Sequence, residues 1–117
     1  MELVAILGED KENWGQVTGL INNKDWEKII LIKTKSATSY LSPKKSDSII
    51  IDSSKPLTEM IDFLLKELKG KFLGFEAHLS MASGNGKEHM ALISALMKVP
   101  LGVRLAAFTK KGVEIIN

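Results

Sequence analysis

Apolar residues fall along this chain in two alternating rhythms. Leu3 to Leu7 is a continuous apolar run ending at Gly8, the pattern of a central strand covered on both faces. Trp14, Val17 and Ile21 then recur at helical spacing, which predicts a first helix from Asn13 to Asn22. Ile29 to Ile32 forms a second apolar run. The stretch from Thr34 to Ser46 is polar, hydroxyl-rich and proline-containing, hence a loop, and longer than a connection needs; loops of that kind are often functional. Ile49 to Ile51 reads as a third strand, closed by Asp52, Ser53 and Ser54. Leu57, Ile61, Leu64, Leu65 and Leu68, with Pro56 at the start and Gly70 past the end, make the clearest helix. Phe72 to Leu79 reads as a fourth strand, and Lys87 to Lys98 as a third helix, apolar on most sides and stopping before Pro100. Val103 to Phe108 is a fifth strand, and Lys110, Lys111 and Gly112 turn it into a short sixth, Val113 to Ile116.

Strands alternating with helices predict an α/β fold: a Rossmann-like, doubly wound, mostly parallel sheet with a C-terminal antiparallel hairpin. The 117 residues fit a single domain spanning 1–117. No apolar run approaches the roughly 20 residues of a membrane span, and the start MELVAILGED has no basic leader or small-residue cleavage site. A cytoplasmic location without a membrane partner is therefore expected. The absence of cysteine removes disulfides, thiolate metal sites and Cys nucleophiles. The net charge is +2, but of 16 basic residues only Arg104 is arginine. Sequence-specific duplex reading favours bidentate arginine, so no duplex DNA binding by this chain alone is expected.

The stretch from Ser80 to Met97 holds the densest chemistry. A small, polar, glycine-broken loop (Ser80, Ser83, Gly84, Asn85, Gly86) passes through Lys87 into an apolar helix. Such a loop exposes backbone N–H groups at the positive end of a helix dipole, a seat for an anion, and Lys87 adds a full charge. It can equally be a loop that needs glycine only to turn. In a doubly wound sheet the loops after the first and fourth strands flank the switch point where ligands bind. Those loops are Gly8 to Trp14 and Ser80 to Gly86, so local chemistry and topology converge.

Standard phosphate motifs do not fit. The positions where a P-loop needs its first glycine and its Ser/Thr hold Met81 and Glu88. A dinucleotide fingerprint would need a third glycine where His89 stands. No cofactor is expected. His78 and His89, with Glu76 and Glu88 nearby, lack the i, i+4 partner and third ligand of a metal site, so no metal is expected either.

Ser83, Gly84, Asn85, Gly86, Lys87, Met90 and Ala91, followed by GVRLAAFTKKGVEII from Gly102 to Ile116, resemble the CARF domain (CRISPR-associated Rossmann fold), closest to the sensor domain of archaeal CRISPR-associated regulators. The resemblance covers essentially the whole chain. It implies a part in CRISPR antiviral signalling: binding of cyclic oligoadenylate, such as cyclic tetra-adenylate, across the two-fold axis of a homodimer. Family ligand loops map onto Gly8, Glu9, Asn13 and Trp14, and onto Ser80, Ser83, Gly84, Asn85, Gly86 and Lys87. Trp14 either stacks on a base or packs on the core. The acidic run Glu9, Asp10, Glu12 is not what an anion pocket wants and is expected to face solvent. Some CARF proteins cleave the ring without metal, and for such a ring nuclease Lys87, His78, His89 and Ser80 are the candidate catalytic residues. The remaining alternative is a structural or partner-binding Rossmann-like module.

Overall fold

Every residue of β1 (Glu2–Leu7) is buried, and the rest of the molecule is layered around that strand. Alternation divides its side chains between two layers. Val4 and Ile6 join a cluster with Met60, Leu64, Leu68, Ala91, Leu92, Ala95 and Leu96. Leu3, Ala5 and Leu7 face Val17, Leu20 and Ile21 on the other side. Each fully buried Leu or Ile stabilises by about 1.5–3 kcal/mol, which is why an unbroken apolar run belongs at the centre of a sheet.

The computed structural model describes residues 1–117. The order is β1, α1 (Trp14–Asn22), β2 (Lys28–Thr34), β3 (Asp47–Ile51), α2 (Leu57–Leu68), β4 (Glu76–Ser80), α3 (Gly86–Lys98), β5 (Gly102–Thr109) and β6 (Gly112–Ile115). Single 3-10 turns lie at Lys11–Asn13 and Lys35–Ala37. The six strands run β3-β2-β1-β4-β5-β6. All neighbours are parallel except the β5–β6 hairpin. With α1 on one face and α2 and α3 on the other, the sheet is doubly wound, and β1 lies directly beside β4, Ala5 opposite Ser80. The fold class is the one the sequence predicts. No helix is long and apolar enough to cross a membrane.

One element differs. The fourth strand begins at Glu76, not Phe72. Upstream of Glu76 the chain turns around Glu2, whose buried carboxylate accepts hydrogen bonds from the Leu73 N–H (2.7 Å) and the Gly74 N–H (2.6 Å). Only Phe72 of this apolar run packs on the core, while Leu73 and Phe75 are exposed. The long 35–46 connection replaces a helix between β2 and β3. It is pinned by buried Ala37 and Tyr40, with the Tyr40 hydroxyl 2.8 Å from Thr18 Oγ1 and its carbonyl accepting from Lys33 Nζ at 3.1 Å.

Candidate functional site

Parallel strands end at one edge of the sheet, so the loops after β1, β2, β3 and β4 gather there. The loops after β1 and β4 are locked together. Gly8 N–H donates to Ser83 Oγ (2.9 Å), Ser83 Oγ–H donates to Asp10 Oδ1 (2.7 Å), and Gly84 N–H donates to the same oxygen (2.9 Å). Asn13 Nδ2 holds the other oxygen of Asp10 at 2.8 Å. The approach is close enough that a Cβ on Gly8 would lie 2.8 Å from Gly84 Cα. Gly84 itself has φ +97°, a conformation that costs other residues strain. Burial works to raise the Asp10 pKa, but the hydrogen bonds from Asn13, Gly84 and Ser83 outweigh it and hold the carboxyl below its ordinary value.

Asn85 caps α3. Its Oδ1 accepts from Glu88 N–H (2.9 Å), and Glu88 Oε1 accepts from Asn85 N–H (2.9 Å), a reciprocal capping box. The second Glu88 oxygen accepts from Ser53 Oγ at 2.6 Å. Two carboxylates, Asp10 and Glu88, thus satisfy the N–H groups of Gly84 and Asn85 from within the protein. The N–H groups of Gly86 and Lys87, in the first turn of α3, have no protein acceptor.

The sequence-predicted residues do not all come together. Gly8, Asn13, Ser83, Gly84, Asn85 and Gly86 meet at this edge, with exposed Glu9 beside them. Trp14 packs: its ring meets Tyr40 edge-on at 5.7 Å, its Nε1–H donates to the Gly8 carbonyl at 2.9 Å, and Lys11 Nζ lies over its face. The Lys87 charge is not free: the side chain is half-buried, with Nζ donating to the Ser53 carbonyl at 3.0 Å. The acidic run also divides, since Glu9 and Glu12 face solvent whereas Asp10 turns inward to hold the loop. The catalytic candidates do not converge. Ser80 is buried at the end of β4, His89 Nε2 lies 2.7 Å from the Ser83 carbonyl, and His78 is buried near Trp26, ring centroids 6.1 Å apart.

What the sequence reading missed is a wholly polar cup of about 270 Å³ beside this loop pair, lined by Glu9, Thr34, Lys35, Ser36, Asp52, Ser53, Ser54, Asn85 and Glu88. Asp52 anchors its far wall, accepting from Ser54 Oγ (2.6 Å), Ser54 N–H (3.0 Å) and Lys35 Nζ (3.1 Å). The Ser54 bonds first, and then Lys35, hold its carboxyl far below the ordinary range. The Asn85-x-x-Glu88 capping signature was available in the sequence; the meeting of Ser53 with Glu88 was not, because it joins residues 35 positions apart. No group of three or more His, Asp or Glu side chains is placed to hold a metal ion. No protein-family model matches the chain, and a search of curated proteins finds no similar sequence.

Proposed function

We propose that this chain is a CARF-like sensor domain that binds cyclic oligoadenylate at the carboxyl edge of its sheet, with two copies closing around one ring. The observation that carries this reading is the switch-point site itself. Loops from β1 and β4 are braced against each other, and the Gly86 and Lys87 N–H groups stand free at the N-terminus of α3. Because Asp10 and Glu88 already hold the neighbouring N–H groups, phosphate contact falls to Gly86, Lys87 and the Lys87 ammonium, which exchanges the Ser53 carbonyl for a phosphate oxygen. The hydroxyl and carboxylate groups of the adjoining cup suit ribose and base edges rather than phosphate.

Assembly of two copies is supported by α3. Its first turns carry Met90, 56% exposed, an apolar side chain three residues beyond Lys87. A ring with rotational symmetry is matched by a site built from two copies of the same loops. Binding is favoured over cleavage because cleavage needs a group to orient the 2′-OH and another to protonate the leaving oxygen. Both histidines have structural settings: His78 is buried near Trp26, and His89 Nε2 is engaged by a backbone carbonyl.

A second reading rests on Asp10 and Glu88. Carboxylates that satisfy a loop from inside are what a purely structural turn has, and under this reading the chain is a partner-binding Rossmann-like module.

Labelled cyclic tetra-adenylate, incubated with the full chain and followed by native separation and product analysis, distinguishes the readings. A complex of dimer mass with an intact ring is expected. Metal-independent cleavage would identify a ring nuclease, and neither binding nor cleavage would leave the structural module. Lys87→Ala removes a charge-assisted bond and should weaken binding about 10- to 100-fold. Unchanged affinity would remove Lys87 from the site.

A further inference from the structure

The sheet edge opposite the ligand loops carries the most exposed aromatic side chain of the protein. In the 69–75 turn between α2 and β4, Phe75 is 88% and Leu73 72% exposed. Neither is there through looseness. The Glu2 carboxylate, only 4% exposed, fixes the Leu73 and Gly74 N–H groups at 2.7 and 2.6 Å. The Phe75 carbonyl accepts from Gly102 N–H at 2.7 Å, while Phe72 packs on the core. A buried carboxylate thus spends both oxygens on holding a turn that presents two bare apolar side chains to solvent.

Three lysines share that edge. Lys69 and Lys71 lie in the same turn and Lys98 ends α3 at the same edge; all three are exposed and none is in a salt bridge. Glu76, the nearest acid along the chain, is neutralised by Arg104 at 2.8 Å.

We propose that this turn is a membrane-surface contact, inserting Leu73 and Phe75 into the boundary of an anionic lipid bilayer while Lys69, Lys71 and Lys98 face its headgroups. Exposed apolar patches mark partner or membrane surfaces. Here the apolar residues stand exposed in a turn that itself carries two exposed lysines, with a third at the same sheet edge, a combination complementary to a negatively charged interface. Surface binding of this kind scales with buried apolar area plus electrostatic attraction and requires no spanning segment. The contact is independent of the ligand site at the other edge.

The test is cosedimentation of the full chain with vesicles of phosphatidylcholine alone and of phosphatidylcholine mixed with phosphatidylglycerol. Binding is expected to the mixed vesicles only, and to weaken as salt is raised. Leu73→Ser/Phe75→Ser and Lys69→Glu/Lys71→Glu should each lower partitioning roughly tenfold or more. Circular dichroism and melting should be unchanged, because the altered side chains are exposed. Phe75→Trp, which keeps an aromatic tip, should bind with a blue-shifted emission. No binding by the unaltered chain, or binding retained by both double variants, overturns the proposal. So does a dimer in the unaltered chain that Leu73→Ser/Phe75→Ser dissolves without any vesicle binding, since the occupant is then a second copy.

Discussion

At the scale of single residues, the absence of one carbon decides how the α1 layer closes. A Cβ on Gly19 would run into the Phe108 ring, so the ring from β5 occupies the space a side chain on α1 would fill. Gly19→Ala should therefore destabilise by about 1–3 kcal/mol, the cost of overpacking, even though alanine is the better helix former. Gly15, in the same helix, has nothing within 4 Å of such a Cβ. Gly15→Ala should accordingly be neutral or mildly stabilising. Urea unfolding of the two variants compares them directly, and equal midpoints would remove the Phe108 explanation. If the clash is the cause, Phe108→Leu should recover part of the loss in a double-mutant cycle.

At the scale of elements, α3 is the joint between fold and site. Its cap is reciprocal, and its third residue also reaches the loop after β3 through Ser53. Asn85 and Glu88 therefore start the helix, shape the loop and line the polar cup. Asn85→Ala removes the side-chain acceptor for Glu88 N–H and should cost about 1 kcal/mol. Hydrogen exchange should show the loss concentrated in the first turn of α3 and in the 80–86 loop, with β1 protected as before. Uniform loss across the sheet would mean that α3 does not open separately.

For the molecule as a whole, folding is linked to pH through His78. Burial pushes its pKa below the ordinary value of 6.5. The Glu2 backbone and the Glu76 carboxylate oppose that shift, whereas the Met1 amino group and Arg104 add to it. Its Nδ1 is buried without a partner, and the Trp26 ring lies alongside. In the folded state His78 takes up a proton less readily than in the unfolded chain. Its contribution is fully present above the unfolded value and is lost as pH falls from there toward the folded pKa. Urea midpoints should therefore fall as pH drops below the ordinary histidine value of 6.5, and His78→Phe should flatten that slope. Asp10, Asp52 and Glu76 have pKa values lowered from already acidic ones, so their contributions fade in a lower window. A slope unchanged in His78→Phe would assign the linkage elsewhere.

The sequence by itself determined the order and type of the elements and the adjacency of β1 and β4, because apolar periodicity follows burial and burial follows position in a layered sheet. It also placed the loops after β1 and β4 at one edge, since parallel strands must end together. It misread Phe72–Phe75 as strand, because an apolar run looks the same whether it is paired or bent around a distant carboxylate; Glu2 and Leu73 are 71 positions apart. The interior of the site was likewise a tertiary decision. Asp10 became a loop clamp, Lys87 a tether to Ser53, and Ser53 a partner of Glu88. Each of these roles depends on a hydrogen bond whose geometry exists only once the segments following β1, β3 and β4 have been brought to a single edge, and no local pattern along the chain encodes that meeting.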